Sequence, residues 1–273
     1  MAVFKLLLIF SISVIISGPL SAKKVKRLSI KYAAVATAHS PWGKHIQRVI
    51  KKYFSDKKKY KNKVFFSGSM GGEKTIIRRC RQGRIEVVGV TQAALSPTVP
   101  ELSIMELPFM FNSAEEFDYV QDKVMRSEFE PLMVKRGFIP YFYPDNGYRM
   151  IATLGKPFRR ISDIQGLKMR AQENRLYIDF YQALGAQPIP IAVPEVLSAL
   201  QTGVIDGFDQ SILFSFTSAW VEGIKYFSLT EHIYQATVLL WSKKFWDTHF
   251  DAKSKEMVRK TAQSETEWSR RQI

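Results

Sequence analysis

The sequence predicts an α/β protein of two similar lobes with a ligand cleft between them. A β-α-β-α-β order of elements occurs near the start of the chain and again after residue 166. Both units contain a glycine followed two positions later by isoleucine and then by an acidic residue, at Gly83 to Glu86 and at Gly203 to Asp206. Extended segments outside the units can join the lobes as a hinge. Repetition of one unit therefore predicts two lobes of the same kind.

The first unit is predicted from helix signals and short apolar runs. Its first helix is expected to begin at Pro41 with Ser40 as N-cap. Its second helix follows a Gly-Gly pair, carries the lone Cys80 on its apolar face and ends at Gly83. A single cysteine excludes an internal disulfide, and we expect Cys80 to be a core residue. The predicted strands are 28–35, 64–66 and 85–90.

The second unit and the segments around it are predicted in the same way. Ser113 and Glu116 form a capping-box pattern at the start of a connecting helix. Because ligands bind at the carboxyl ends of strands in open α/β sheets, two facing lobes should enclose a ligand. Hinge closure would then bury that ligand. The predicted strands are 167–171, 188–192 and 204–208, the helices are 174–184 and one opening at Pro194, and the crossing segments are 138–143, 148–153 and 234–242.

Residues 1–22 have the pattern of a cleavable signal peptide. Lys5 precedes an apolar run at 6–16, and small residues lead to a predicted cut near Ala22. The run is too short to span a bilayer, and a Gly-Pro pair interrupts it. The pattern therefore predicts an exported protein.

The chain is strongly basic. It contains 40 Lys and Arg against 25 Asp and Glu, a net charge of +15. An exported protein rarely meets nucleic acid, so we expect none as a partner. An anionic ligand or anionic lipid headgroups fit the charge better. Part of the excess is a solvated face, such as the lysine run at 57–63.

No pattern of catalytic or metal-binding residues is present in the sequence. The four histidines lack metal-ligand spacing, and none belongs to a nucleophile motif. Residues 68–75 resemble a phosphate-binding loop, but Glu73 occupies the position of the second required glycine. We therefore predict a protein without catalysis, cofactor or metal, and interpret this segment as a strand-to-helix turn.

Five side chains are candidates for lining the cleft on their positions alone. Arg170 ends a strand, and its guanidinium can pair with a carboxylate; the alternative is a surface ion pair. Arg149 lies on a crossing segment and can add a second charge or form a hinge salt bridge. Gln210 follows the last strand of the second unit and is a cleft or loop residue. His39 and Trp42 flank the first helix start; His39 is otherwise a helix-start residue and Trp42 a core residue.

Several blocks of the sequence resemble one known family. They are GLKMR at 166–170, ALGA at 183–186 and EVLSALQTGVIDG at 195–207, with ELPFMF at 106–111 and KKFW at 243–246. Their order and spacing are similar to those of DctP-type solute-binding proteins of TRAP (tripartite ATP-independent periplasmic) transporters. The resemblance extends from the first strand almost to the last residue.

The resemblance implies a non-catalytic, two-lobed, flytrap-like binding protein of the periplasm without a cofactor. It would capture a small organic acid and deliver it to a membrane permease of a small and a large subunit, as a monomer. The implied lobe I is 24–146 plus about 234–273, and lobe II is 147–233. The resemblance also implies a C-terminal helical region, which is expected to be missing or shortened here.

The family also implies roles for individual residues. Arg170 would form the salt bridge with the ligand carboxylate, and Arg149 matches the second family arginine. Gln210 stands where the family often has an asparagine, and Phe208 and Asp209 replace the usual preceding residues. These departures favour a bulkier or more apolar acid. The alternatives are a hydrophobic or lipid-like ligand, an exported enzyme, and a surface adhesin.

Overall fold

A computed structural model describes residues 27–272. The predicted signal peptide, residues 1–22, lies outside the described residues. The strands are β1 (Leu28–Ala34), β2 (Tyr60–Phe65), β3 (Val87–Thr91), β4 (Phe138–Phe142), β5 (Asp145–Thr153), β6 (Lys168–Ala171), β7 (Gln187–Pro190), β8 (Gly207–Gln210) and β9 (Tyr226–Ser242). The α-helices are α1 (Pro41–Tyr53), α2 (Glu73–Arg81), α3 (Gln92–Leu95), α4 (Ala114–Val120), α5 (Arg126–Lys135), α6 (Arg175–Ala183), α7 (Val196–Gln201), α8 (Ile212–Thr217), α9 (Lys243–His249) and α10 (Ala252–Arg270). Short 3₁₀ helices lie at Pro100–Glu106, Ile161–Asp163 and Val193–Glu195, and a π-helical turn lies at Gln121–Met125.

The strands form one sheet in the order β2-β1-β3-β9-β5-β8-β6-β7, and β4 also pairs with β9. The first unit contributes the parallel strands β2, β1 and β3, and the second contributes the parallel strands β8, β6 and β7. β9 is antiparallel to β3 and β4 at its carboxyl end and to β5 at its amino end. This one long strand therefore joins both halves of the predicted α/β architecture.

In the first unit the sequence signals and the structure agree closely. Ser40 Oγ accepts a hydrogen bond from the backbone nitrogen of Gly43 at 3.2 Å and caps α1 as predicted. Cys80 is fully buried in the core beneath β3, as predicted. β2 is longer than predicted and begins at Tyr60. The lysine-rich stretch lies partly on β2 because β2 is a sheet edge, where charged side chains remain solvated.

One predicted strand start is wrong in both units. The strand predicted to begin at Ile85 begins at Val87. The strand predicted to begin at Val204 begins at Gly207. Gly203 has a φ of +69°, which starts a left-handed turn, and Val204 is exposed. Asp206 Oδ2 then accepts from the backbone nitrogen of Lys168 at 2.8 Å, so residues 204–206 form a corner that precedes the strand.

The crossing between the halves is made by β5 and β9. The predicted crossing segment 138–143 forms β4, which pairs only with the carboxyl half of β9 and does not cross. The pairing of β5 with β9 shifts register between Asp145 and Gly147 and again between Arg149 and Ile151. The residue bounds of the two lobes stay a prediction.

Side chains from both halves share one apolar cluster. Trp42 of α1 packs on Phe214 of α8, with ring centroids 5.5 Å apart. Asn174, the N-cap of α6, donates to the backbone oxygen of Ala93 at 3.0 Å. The two halves therefore contact each other at the rim of the space between them. The two lobes are in a closed arrangement.

Candidate ligand-binding cleft

The cleft lies at the carboxyl ends of β1, β3, β6 and β8, where the sequence predicted it. Its main cavity has an empty volume of about 580 Å³, which includes the part open to solvent. A neighbouring cavity of about 340 Å³ contains Arg170. The residues that line both are Glu73, Gln172 and Val193. The two cavities are therefore parts of one cleft.

Backbone from the first half meets the second half at the edge of this cleft. Gly68 has a φ of +67°, and a Cβ added to it would lie 2.3 Å from Cγ of Pro194. A Cβ on Gly72 would lie 2.8 Å from Cβ of Ala192. The turn that resembled a phosphate loop thus leaves room for the lobes to approach each other.

Arg170 is the one arginine that reaches into the cleft with an unpaired nitrogen among the described residues. It is the next-to-last residue of β6, and its side chain is 2% exposed. Nε donates to the backbone oxygen of Ile191 at 3.0 Å, whereas Nη1 is buried and has no hydrogen-bond partner within residues 27–272. Burial and the positive charge of Arg149 lower the pKa of Arg170. A buried guanidinium in this state favours an anionic partner.

Arg149, by contrast, is held by the protein. Its Nε donates to Oδ2 of Asp209 at 2.5 Å, its Nη2 donates to the backbone oxygen of Asp209, and both residues are fully buried. Nη1 donates to Oε1 of Gln235 at 2.7 Å and of Gln210 at 3.2 Å. Burial alone would raise the pKa of Asp209, but the charge and hydrogen bonding of Arg149 and of the neighbouring His232 together outweigh it and hold that pKa far below its usual range. The pair is thus ionised and internally neutralised.

Gln210 and Gln172 present amide groups to the cleft. Oε1 of Gln210 accepts from Asn146 Nδ2 at 2.7 Å, from Arg149 and from the backbone nitrogen of Ser211 at 2.8 Å. Oε1 of Gln172 accepts from Gln235 at 2.9 Å. Neither Nε2 group makes a hydrogen bond to another described residue. Each therefore has donors left for a ligand beside Arg170.

Glu73 is the acidic residue that lines both cavities, and Glu173 lines only the smaller one. It begins α2, and its oxygens accept from the backbone nitrogen of Thr91 at 2.6 Å and from the Thr91 hydroxyl at 3.2 Å. Burial raises the pKa of Glu73, although these bonds and the charge of Arg170 act against that rise. Its carboxylate faces the same space as Arg170.

Of the other predicted site residues, the structure brings only Trp42 to the cleft. Trp42 lines the main cavity, and its Nε1 donates to the backbone oxygen of Asp145 at 2.7 Å. His39 is exposed and lines neither cavity. Phe208 is fully buried behind the cleft, with its ring 5.2 Å from that of Trp220, and lines neither cavity either. His39 belongs to the turn before α1. Phe208 lies two residues before Gln210, further from the carboxyl end of β8 where the cleft is.

Several residues that line the cleft were not predicted from the sequence. Gln172 lies two positions after Arg170, so the period of two along a strand places both on one side. That signal was available. The sequence contains no such signal for Val35 and Phe214, because each has the pattern of an ordinary core residue and lines the cleft only where the two lobes face each other.

His45 connects the main cavity to the C-terminal helix. It lines the cavity, and its Nε2 lies 3.1 Å from Oε2 of the fully buried Glu265 of α10. Burial lowers the pKa of His45, against the opposing effect of Glu265. Its Nδ1 is buried without a partner in the described part of the chain.

Two further features bear on function. Within residues 27–272 no helix has the length and apolar character needed to cross a bilayer. The same residues hold no group of three or more His, Cys, Asp or Glu side chains placed to bind a metal ion.

Comparison with known proteins identifies close relatives. Residues 32–273 match the family model DctP, described as bacterial extracellular solute-binding protein, family 7. A solute-binding protein of Chromohalobacter salexigens is 27% identical over 201 residues, which are 74% of this chain and 60% of the relative. The chain thus spans less than two thirds of the length of that relative.

Solved structures match over most of the described fold. A TRAP periplasmic solute-binding protein of Polaromonas sp. JS666 bound to D-erythronate is 29% identical, with a TM-score of 0.84, and the match covers 89% of this chain and 80% of that one. A second, of Bradyrhizobium sp. BTAi1 in complex with D-galacturonate, is 30% identical, with a TM-score of 0.84 and coverage of 90% and 82%.

Proposed function

The chain belongs to family 7 of the bacterial extracellular solute-binding proteins, and on that premise we propose that it captures a small organic carboxylate and delivers it to a TRAP-type membrane permease. Capture needs a charged anchor and a space that closes. Both are features of the cleft at the carboxyl ends of β1, β3, β6 and β8.

The observation that carries the proposal is the state of Arg170. Its guanidinium is almost fully buried, yet Nη1 has no partner in residues 27–272. An uncompensated buried charge is costly, and a carboxylate bound to it would remove that cost. Closure of the lobes excludes water and strengthens the ion pair because the local dielectric falls.

The other groups of the cleft have supporting roles in this proposal. Nε2 of Gln210 and of Gln172 would donate to the carboxylate beside Arg170, and Trp42 would cover the ligand body. Arg149 would act mainly by holding Gln210 in place, because four hydrogen bonds to protein already occupy its guanidinium. His39 and Phe208 are not part of the proposed contact set.

Export and delivery complete the proposal. The signal-peptide pattern of residues 1–22 would send the chain to the periplasm, where it would act as a monomer with a permease of a small and a large subunit, without chemical conversion of the ligand. Cleavage is tested by the mass of the periplasmic chain, which should begin after Ala22. An N-terminus that still contains residues 1–22 would contradict it.

The anchor is tested by titration calorimetry with a panel of organic acids. We expect Arg170→Ala to weaken the binding of any acid that the wild type binds by roughly a hundredfold, since removing one partner of a buried charge pair costs several kcal/mol. Arg175→Ala is the matched control, because that arginine is exposed and pairs only with Asp179 on α6. Equal affinity of Arg170→Ala and wild type would refute the role of Arg170.

A further inference from the structure

Resting on the proposed capture of a carboxylate, we infer that the ligand is a monocarboxylic acid with a compact apolar body, such as an aromatic ring or a branched chain. A polyhydroxylated sugar acid and a dicarboxylate are the ligands it excludes. The inference depends on which groups of the cleft are charged, which are apolar, and which polar groups are already paired.

The charges of the cleft provide for one carboxylate. Among the described residues, no lysine or arginine lines the main cavity. Arg149 is neutralised by Asp209 at 2.5 Å, so Arg170 is the buried cation with capacity to spare. The exposed Lys74 lines only the smaller cavity, which the exposed Glu173 also lines. Glu73 lines both cavities and would repel a second carboxylate placed beyond the first. A dicarboxylate would therefore leave one charge unpaired.

The walls of the main cavity are mostly apolar. The first lobe contributes aliphatic and aromatic side chains at the ends of β1 and on α1, and the second lobe contributes others opposite them. Burial of an apolar ligand group against such a surface contributes favourable binding free energy, whereas hydroxyl groups placed there contribute none. The principal apolar lining residues are Val35, Trp42, Ile46, Val193, Phe214 and Val238.

Several polar side chains of the same walls already have partners, and away from the two glutamine amides the free group is Nδ1 of His45. Thr237 donates to the backbone oxygen of Pro144 at 2.8 Å. Nδ2 of Asn146 donates to both Gln210 and Gln235. Away from the carboxylate end, a sugar acid would bury several hydroxyls with few free groups to receive them, and each unpaired hydroxyl weakens binding.

The anchor and the apolar space are continuous. Gln172 and Val193 line both the cavity that holds Arg170 and the main cavity. A carboxylate at Arg170 therefore places its attached group between Val193 and Glu73, at the entrance to the apolar part. An acid with its charge at one end and a ring or branched chain at the other fills both.

The test compares matched acids on the purified chain after denaturation and refolding to remove any carried ligand. Phenylacetate and cyclohexanecarboxylate are titrated by calorimetry beside D-galacturonate, D-erythronate, succinate and decanoate. We expect the two ring acids to bind at least tenfold more tightly than each of the other four. Arg170→Ala should abolish the binding of phenylacetate.

Four results would overturn the inference. Tighter binding of a sugar acid or of succinate, or equal binding of all acids, would refute it while leaving carboxylate capture intact. Tightest binding of decanoate would refute a compact body. Binding of none of the six by a chain with native circular dichroism would count against carboxylate capture itself, and the inference would fail with it.

A pair of isosteric variants locates the effect. Val35→Thr adds one hydroxyl to the cavity wall without changing the shape, and should weaken phenylacetate binding by roughly fivefold or more, because the hydroxyl has no partner once the ring covers it. Val204→Thr is the matched control, since Val204 is exposed and outside the cleft. Equal phenylacetate affinity of both variants would contradict an apolar body against Val35.

Discussion

The two β-α-β-α-β units use the same scaffold but carry different chemistry. In the first, Glu86 accepts from the backbone nitrogen of Lys31 at 2.7 Å. In the second, Asp206 accepts from that of Lys168 at 2.8 Å. The register of β1 with β3 is the same as that of β6 with β8, because Tyr32 lies opposite Val87 and Met169 lies opposite Gly207. Equivalent positions can therefore be compared residue by residue.

At the strand ends the equivalent positions differ in charge. The second unit carries charged and amide groups where the first carries small or apolar residues. The lesson is that a repeated scaffold can hold the anchor in one lobe and the apolar wall in the other. The equivalent pairs are Arg170 and Ala33, Gln172 and Val35, Asp209 and Gly89, and Gln210 and Val90.

The largest expected effect comes from the buried pair that joins the crossing strand β5 to the second unit, at Asp209, where the first unit has Gly89. Arg149→Met leaves Asp209 buried without its cation, and we expect the free energy of unfolding to fall by about 3–5 kcal/mol. Urea unfolding followed by circular dichroism measures this. Arg175→Met, which removes an exposed pair, should change it by less than about 0.5 kcal/mol. Similar losses in both variants would contradict a structural role of the buried pair.

A smaller effect is expected from the carboxylate of Glu265, whose charged and hydroxyl partners lie on α1. Glu265 accepts from Tyr53 at 2.7 Å, Lys52 at 3.1 Å and Arg48 at 3.2 Å, and also faces His45. Burial alone would raise the pKa of Glu265, but these partners lower it far below the usual value. Glu265→Gln should cost about 1.5–3 kcal/mol at pH 7.

The same carboxylate gives a pH dependence of known sign. Because its pKa is lower in the folded than in the unfolded protein, its stabilising contribution is complete above the unfolded pKa of about 4.3 and is lost as the pH falls further. The difference in unfolding free energy between wild type and Glu265→Gln should therefore shrink below pH 4.3. A difference that stays constant from pH 7 to pH 3 would refute the ionised state of Glu265.

The smallest expected effect tests the equivalence of the units directly. Glu86→Ala and Asp206→Ala each remove one hydrogen bond to a strand nitrogen and should each cost about 1–2 kcal/mol. Thermal and urea unfolding of the two variants measure the losses. A difference of more than about 1 kcal/mol between them would mean that the two corners are not energetically equivalent.

The sequence predicted the repeated corner and the position of Arg170, because both depend on local spacing. It did not show that Arg149 is paired within the protein whereas Arg170 has an unpaired nitrogen in the described part of the chain. Asp209, the partner of Arg149, is 60 residues away in the chain, and only the pairing of β5 with β8 brings them together. The family resemblance also placed Phe208 among the ligand-binding residues, whereas its side chain is fully buried and lines neither cavity.

The length of β9 restricts how the cleft can open. Its 17 residues run from one lobe into the other, and its pairing on both sides opposes sliding of the lobes past each other. The pairing with β5 is interrupted between Ser228 and Ile233. The remaining freedom is rotation, concentrated where β5 shifts register on either side of Arg149. A bend at this point would part the lobes without separating the strands that join them.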